Sequence, residues 1–216
     1  MTRQRPASTS EDLRALFGDI DIYLFDQLVR GRFDHRARVL DAGCGGGRNL
    51  PYFLSRGFDV FAIDRDAAAV AAVSRLFAQL APQLPADHVR HGEVHALPWA
   101  DGCMDAVISS AVLHFARDVD HFNTMVREMW RVLAPGGLFF ARLASSITIE
   151  AHVDARLGRV RLPDGSTRFI VDAQTLAATM EALGGRAVDP LKTTNVEHQR
   201  AMTTWVLEKG WASNSR

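Results

Sequence analysis

The sequence predicts an α/β protein built around a parallel sheet. Short apolar segments alternate with helix-forming segments along most of the 216 residues, which is the pattern of parallel strands joined by right-handed helical crossovers. The first apolar run is followed directly by DAGCGGGRN (41–49), in which glycine recurs at every second position from Gly43 to Gly47. The second apolar run leads to Asp64, 21 residues after Gly43. A glycine-rich turn after the first strand and an acid after the second are typical of sheets that bind a nucleoside.

The N-terminal segment is predicted to be helical from about residue 9 to residue 32. Its apolar residues recur at helical spacing, at Leu13, Leu16, Phe17, Ile20, Leu24 and Leu28. Gly18 is expected to divide this segment into two helices, because glycine is a poor helix former. We expect residues 1–35 to form a helical cap on the sheet.

Five strands and three helices are predicted for the central region. The strands are the apolar runs 39–42, 58–63, 88–91, 106–109 and 138–143. The helices are 48–56, with a proline in its first turn, 67–80, which follows the N-cap residue Asp66, and 119–133, which follows Asp118. The apolar residues of the third helix fall on one face, which indicates packing against the sheet. A helix at 173–183 and strands at 187–192 and 203–207 complete the prediction.

Residues 144–170 form an insertion between the fifth strand and the last long helix. Within it, residues 158–169 predict a β-hairpin around Pro163, Asp164 and Gly165. The insertion leaves the sheet at the carboxyl end of a strand, where open α/β sheets bind ligands. We therefore expect a substrate lid, with a surface decoration as the alternative.

The composition predicts one domain over residues 1–216, with no electrostatic attraction to nucleic acid or membrane. The chain has 25 basic and 25 acidic side chains and is 47% hydrophobic. No apolar stretch approaches the length of a transmembrane helix, and no signal-peptide core is visible near the N-terminus. The two cysteines, Cys44 and Cys103, are expected to be reduced, which favours a cytoplasmic protein. Composition leaves the oligomeric state open.

Four motifs in a fixed order carry a family resemblance. They are the acid–glycine loop that starts at Asp41, the acid Asp64, GEVHALP at 92–98 and LAPGG at 133–137. Together they resemble the class I S-adenosylmethionine-dependent methyltransferases over residues 38–143. The resemblance implies a Rossmann-like, seven-stranded, mostly parallel sheet with helices on both faces and an antiparallel last strand. It also implies S-adenosylmethionine as cofactor and methyl transfer by in-line displacement.

Within that family, one strand–helix–strand unit is similar to a smaller group. The segments GRNL (47–50) and SRGFDV (55–60) resemble enzymes of the tellurite-resistance type, which methylate small inorganic or thiol-like acceptors. A small-molecule acceptor is therefore expected.

The resemblance, together with the spacing of the acids, predicts the cofactor-binding residues. Asp41 is expected to meet the positively charged methionine end, Asp64 the ribose hydroxyls, and Glu93 the adenine amino group. The expected set is Asp41, Gly43, Cys44, Gly45, Gly47, Asp64, Arg65, Glu93, Val94 and Ser109. Free N–H groups at the start of the helix after the loop are expected near the cofactor carboxylate.

Three residues are candidates for binding the acceptor. His114 follows the fourth strand and could act as a base or orient the acceptor, although an ordinary packed histidine fits the sequence equally well. Arg142 lies in an otherwise apolar strand, where a buried cation needs a partner. It is expected to contact an anionic group of the acceptor or, alternatively, to pair with a neighbouring acid. Tyr23 could close over the site from the N-terminal helix or could pack in the core.

Several functions are disfavoured by what the sequence lacks. It has no Asn/Asp-Pro-Pro-Tyr segment and no Pro-Cys pair, which nucleic-acid methyltransferases of this fold carry, and its histidines show no metal-ligand spacing. A nicotinamide-dependent dehydrogenase would require a third fingerprint glycine where Arg48 stands. A nonenzymatic S-adenosylmethionine-binding protein and a methyltransferase acting on a macromolecule remain alternatives.

Overall fold

A computed structural model of the protein describes residues 10–210; the predicted outermost parts of the domain, 1–9 and 211–216, lie outside the described residues. The strands are β1 Arg38–Ala42, β2 Asp59–Asp64, β3 Val89–His91, β4 Met104–Ser110, β5 Leu133–Ser145, β6 Gly158–Arg161, β7 Thr167–Ile170, β8 Gly185–Ala187, β9 Lys192–Val196 and β10 Arg200–Lys209. The helices are α1 Ser10–Phe17, α2 Ile22–Val29, α3 Pro51–Ser55, α4 Ala67–Leu80, α5 Val119–Val132 and α6 Ala173–Ala182. Short 3₁₀ turns lie at Ala86–His88, Leu113–Phe115 and Glu150–His152.

The central sheet has the strand order β3-β2-β1-β4-β5-β10, with β8 and β9 on the far side of β10. The strands from β3 to β5 run parallel, and β10 runs antiparallel to β5. Since β8 and β9 pair with successive parts of β10, they share one edge position, and the sheet has seven positions. The prediction of a Rossmann-like, mostly parallel sheet with an antiparallel last strand is confirmed.

The edge of the sheet at 185–196 differs from the predicted strand at 187–192. Pairing with β10 ends at Val188, whose N–H still donates to the carbonyl of Val206, and it resumes at Lys192. Pro190 lies in this gap, and a proline cannot donate a ladder hydrogen bond. The predicted strand was therefore wrong in extent, and the chain pairs on both sides of the proline instead.

The helix predicted at 48–56 is also shorter than expected. Leu50 donates its N–H to the carbonyl of Gly47 in a tight turn, so α3 begins only at Pro51 and has five residues. The N–H groups expected near a cofactor carboxylate therefore belong to the glycine loop and its turn. The prediction that a helix begins directly after this loop was wrong.

The N-terminal segment consists of two helices, as predicted. Gly18, with φ of +62°, separates α1 from α2. The side chain of Asp21 caps α2 by accepting a hydrogen bond from the N–H of Tyr23 over 3.0 Å. Leu24 and Phe33 are buried in the apolar layer on one face of the sheet, so this segment covers that face.

The predicted hairpin in the insertion is present as β6 and β7, which pair antiparallel. Gly165 takes φ of +82° in the turn, and Asp164 accepts a hydrogen bond from the N–H of Ser166. The hairpin packs through Val160, Leu162 and Ile170 on a small apolar cluster of its own. Among the described residues, no helix is long and apolar enough to cross a membrane.

Candidate active site

Two adjoining cavities lie at the carboxyl ends of the parallel strands and share Ala111. The larger has a volume of about 430 Å³. It is lined by Gly43, Cys44, Gly45, Gly46, Arg48, Asn49, Asp64, Arg65, Asp66, Gly92, Glu93, Val94, Ser110, Ala111, Val112, Phe115, His121 and Met125. The smaller has a volume of about 250 Å³. It is lined by Ala111, His114, Arg142, Ala144, Leu162, Asp164, Ser166, Arg168, Thr194, Val196, Arg200 and Met202.

The four glycines of the loop serve two different purposes. A Cβ at Gly45 or Gly46 would meet no atom within 4 Å, and both residues line the larger cavity. A Cβ at Gly43 would instead lie 2.5 Å from the side chain of Val112, and one at Gly47 would press on α4. Gly45 and Gly46 therefore leave room for a ligand, whereas Gly43 and Gly47 allow close packing within the protein.

Asp64 joins the end of β2 to the glycine loop. Its Oδ2 accepts a hydrogen bond from the N–H of Gly45 over 2.8 Å, and its Oδ1 accepts one from the N–H of Asp66 over 2.9 Å. Because each carboxylate oxygen has a second lone pair, Asp64 can still accept hydrogen bonds from a ligand in the cavity. The N–H groups of Gly43 and Cys44 both donate to the carbonyl of Ile63, which fixes the loop to β2.

Asp41, two residues before the lining residue Gly43, does not itself line the larger cavity. Its side chain is 1% exposed, and its Oδ2 has no hydrogen-bond partner among the described residues. Burial raises the pKa of Asp41 to about 7, against the opposing effect of the Arg48 guanidinium. The buried carboxyl therefore has an oxygen free to accept a hydrogen bond and gains charge near neutral pH.

Part of the wall of the larger cavity is formed by the segment after β3. Glu93 and Val94 line it, and so does His121, whose Nε2 lies 3.2 Å from Nδ1 of His95. Ser109, in contrast, is fully buried and lines neither cavity. The strand β4 extends to Ser110, one residue beyond its predicted end. The larger cavity is therefore lined by Ser110, Ala111 and Val112 instead of Ser109.

The buried carboxylate of Asp21 connects three segments around the two cavities. Its Oδ2 lies 3.2 Å from Nη1 of Arg142, 3.3 Å from Nη2 of Arg48 and 3.0 Å from Oγ of Ser110. Arg142 also lines the smaller cavity. The two sequence-based alternatives for Arg142 are therefore compatible, because its guanidinium pairs with an acid and also faces a cavity.

Tyr23 packs beside this arrangement and lines neither cavity. The guanidinium carbon of Arg142 lies 5.1 Å from the centre of the Tyr23 ring. The Tyr23 hydroxyl forms a hydrogen bond with Oγ1 of Thr194. The tyrosine thus holds Arg142 against the wall of the smaller cavity.

His114 contributes a neutral imidazole to the smaller cavity. It is 7% exposed, and its Nδ1 has no hydrogen-bond partner among the described residues. Burial, reinforced by Arg168 and Arg142, lowers its pKa to about 4. At neutral pH, one ring nitrogen is therefore unprotonated and can accept a hydrogen bond from a ligand.

The structure separates the predicted site residues into three groups. The larger cavity is lined by Gly43, Cys44, Gly45, Asp64, Arg65, Glu93 and Val94. The smaller cavity is lined by His114 and Arg142. The residues that line neither are Asp41, Gly47, Ser109 and Tyr23.

Several lining or supporting residues were missed by sequence reasoning. The guanidinium carbons of Arg65 and Arg168 lie 5.7 Å and 5.2 Å from the centre of the Phe115 ring. Phe115 follows His114 directly, so its proximity to a candidate residue was a usable signal. Asp21 carried only a helix-cap signal, and nothing local indicates that Ala111 takes φ of +65° at the junction of the cavities.

No group of three or more histidine, cysteine or acidic side chains that could hold a metal ion occurs in residues 10–210.

Comparison with known proteins finds sequence similarity to methyltransferases. Residues 40–141 match the family model described as a methyltransferase domain. A malonyl-[acyl-carrier protein] O-methyltransferase of Enterobacter lignolyticus is 36% identical over 110 residues, covering 50% of this chain and 40% of that protein. A probable S-adenosylmethionine-dependent methyltransferase of Mycolicibacterium smegmatis is 29% identical over 168 residues, covering 76% of this chain and 59% of that protein. The chain thus spans about half the length of these curated relatives.

A solved structure supports the fold. The 1,6-didemethyltoxoflavin-N1-methyltransferase of Burkholderia thailandensis, determined with 1,6-didemethyltoxoflavin and S-adenosylhomocysteine bound, superimposes with a TM-score of 0.68. It is 18% identical in sequence, and the match covers 90% of this chain and 80% of that one. The sheet and its crossovers are therefore those of a methyltransferase fold.

Proposed function

We propose that this chain, whose residues 40–141 match the model of a methyltransferase domain, is a class I S-adenosylmethionine-dependent methyltransferase that binds S-adenosylmethionine in the larger cavity and methylates a small molecule in the smaller one. The observation that carries the proposal is the open space over Gly45 and Gly46, bordered by Asp64 at the end of β2. A glycine loop and an acid in this relationship suit a ribose with a charged tail.

The dimensions and polar groups of the larger cavity fit the cofactor. A volume of about 430 Å³ is in the range of small-molecule sites. Asp64 has lone pairs for the ribose hydroxyls, and Glu93 with the Val94 N–H would meet the adenine. The unpartnered Oδ2 of Asp41 would stabilise the ammonium group, directly or through water. The relatives named as S-adenosylmethionine-dependent methyltransferases support the same cofactor.

The residues of this chain would act mainly by positioning. When bound, S-adenosylmethionine supplies a methyl group on a positively charged sulfur, which is open to in-line displacement. Because an already activated donor needs mainly alignment, the cavities contribute most by fixing the two partners at the shared Ala111. His114, neutral at pH 7, would orient the acceptor by accepting a hydrogen bond from it.

The insertion at 144–170 would act as a lid over the acceptor. Leu162, Asp164, Ser166 and Arg168, on the hairpin or its turn, line the smaller cavity. A cavity of about 250 Å³ suits a small molecule better than a chain of nucleic acid. We place this activity in the cytoplasm, since Cys44 and Cys103 are both free thiols.

A methyl-transfer assay tests the function. The protein is incubated with S-adenosylmethionine carrying a labelled methyl group and a panel of small hydroxyl, amine, thiol and carboxyl compounds. We expect S-adenosylhomocysteine to form only with some acceptors, and His114→Gln to lower kcat with little change in cofactor affinity. Tight cofactor binding with no turnover on any compound would support a nonenzymatic binding protein and contradict the proposal.

A further inference from the structure

We infer that the smaller cavity binds an oxyanion group, carboxylate or phosphate, with Arg168 as its principal ligand and Arg142 as its second. The assignment of this anion to the methyl acceptor rests on the proposed function. The inference concerns the charge of the molecule that enters the cavity, which the family resemblance leaves open.

The cavity and its wall carry more cations than anions. Arg142, Arg168 and Arg200 line it, whereas Asp164 is its one acidic lining residue among the described part of the chain. Asp21 lies behind the wall and is shared between Arg142 and Arg48. Three guanidiniums and one carboxylate therefore line the cavity, and its net positive charge favours an anionic ligand.

Arg168 is the guanidinium with the greatest capacity to bind a ligand. Among the described residues it forms no ion pair within 4 Å, and its Nη1 donates a hydrogen bond to the carbonyl of Thr167 over 3.0 Å. Its packing 5.2 Å from the centre of the Phe115 ring fixes the planar group without using its N–H donors. Guanidiniums held in this way recognise oxyanions through paired hydrogen bonds.

Arg142 and His114 make the inner part of the cavity suitable for an anion. Nε of Arg142 is buried and has no hydrogen-bond partner in the described residues, so this cation is incompletely satisfied. The imidazole of His114 is neutral and leaves the positive charge to the arginines. In surroundings of low dielectric, an oxyanion beside two guanidiniums is strongly stabilised.

Arg200 and Asp164 form the outer border of the cavity. Their nearest nitrogen and oxygen atoms are 3.8 Å apart, and the Arg200 side chain is 56% exposed. Hydrogen bonds from Ser166 hold Asp164 in the hairpin turn and lower its pKa, so it stays charged. Asp164 acts on both Arg200 and Arg168, more strongly on Arg200, so the anion is expected nearer to Arg168 and Arg142.

Isothermal titration with small probes tests the inference. Benzoate and phenyl phosphate, with benzamide as the neutral counterpart of benzoate, are titrated into the full chain saturated with S-adenosylhomocysteine, at constant ionic strength. We expect at least one anion to bind about tenfold or more tightly than benzamide. Arg168→Gln should remove most of that preference, about tenfold or more for a charge-assisted pair of hydrogen bonds.

A matched control and a separate readout distinguish the possible failures. Arg161→Gln removes an exposed cation from the neighbouring strand of the same hairpin and should leave anion binding unchanged. Equal binding of benzoate and benzamide, no binding of either anion, or an anion preference that survives Arg168→Gln would each overturn the inference. If the parent protein does not bind S-adenosylhomocysteine, the proposed function is contradicted instead, because that ligand is expected in the larger cavity.

Discussion

The backbone N–H of Gly45 donates to Oδ2 of Asp64 over 2.8 Å, so the glycine loop and the end of the second strand form one hydrogen-bonded unit. Gly45, which leaves space for a ligand, is thereby held in place by Asp64, which is expected to bind the ribose of that ligand. Asp64 consequently has two tasks, because it holds the loop and also presents free lone pairs to the cavity.

Asp64→Ala should weaken S-adenosylhomocysteine binding by about 10- to 150-fold, the equivalent of about 1.5–3 kcal/mol for charged hydrogen bonds. The loss combines missing contacts to the ribose with a looser Gly45. Asp87→Ala, which removes an exposed carboxylate paired with Arg90, is the control and should bind like the parent. Equal affinity of Asp64→Ala and parent in calorimetric titration would contradict the ribose assignment.

Valine substitutions at three glycines separate backbone strain from occupation of the cavity. Gly45 has φ of +50° and lines the cavity, whereas Gly57 has φ of +78°, also faces open space and lies outside the cavity. Gly46 lines the cavity without a positive φ. Gly45→Val and Gly57→Val should each lose about 1–3 kcal/mol of unfolding free energy. Only Gly45→Val and Gly46→Val should lose S-adenosylhomocysteine binding, and retention of full affinity by either would contradict our assignment of this space.

Asp41 should make cofactor affinity depend on pH. Burial raises its pKa to about 7, and a bound ammonium group favours the ionised form. The affinity for S-adenosylhomocysteine should therefore fall as the pH drops below 7, by up to about tenfold per pH unit. Adenosine, which lacks the ammonium group, should show no such fall, and Asp41→Asn should remove it. A slope shared by both ligands would assign the effect to another group.

His114 should lower the stability of the protein in acid. Its pKa falls from the ordinary 6.5 to about 4 on folding, so the unfolded chain takes up a proton first as the pH falls below 6.5. The contribution of the neutral imidazole to the free energy of unfolding is complete above pH 6.5 and is lost as the pH falls towards 4. The total loss is about 3 kcal/mol. Urea unfolding of the parent and His114→Gln at pH 7, 6 and 5 isolates this effect, because Asp41 titrates in both proteins. If the difference in unfolding free energy between the parent and His114→Gln stays constant with pH, burial does not keep His114 neutral.

Asp21→Asn should destabilise the fold by about 2–3 kcal/mol, because it keeps the cap of α2 but removes the charge between Arg142 and Arg48. Asp19→Asn, at an exposed position in the same loop, should change stability by less than about 0.5 kcal/mol. Denaturant unfolding measures both variants. Equal stabilities would mean that the carboxylate of Asp21 does not hold the two arginines.

Local signals in the sequence predicted much of the fold. The helix predicted at 67–80 is α4, with the same bounds, and Asp66 caps it by accepting a hydrogen bond from the N–H of Ala68. A cap, a run of helix formers and a following proline are contained within a few residues, so they can be recognised without tertiary structure. The start of α3 was mispredicted because the turn after Gly47 delays the helix to Pro51.

The site could be predicted only in part, because its wall depends on contacts between distant segments. The positions of Gly45 and Asp64 follow from a local motif. The Asp21–Arg142 pair joins residues that are 121 positions apart in the chain, and no local sequence pattern predicts this contact. Similarly, only packing decides that Gly47 meets α4 while Gly45 faces the cavity.

The most direct test of the central claim is a thermal-unfolding measurement with S-adenosylmethionine, S-adenosylhomocysteine and NAD in parallel. A ligand at about a hundred times its Kd should add roughly 2.7 kcal/mol, which for a chain of this size raises the Tm by roughly 5–11 °C. We expect this rise with both adenosyl sulfur compounds and none with NAD. A rise with NAD alone would contradict the proposed methyltransferase and indicate a dehydrogenase.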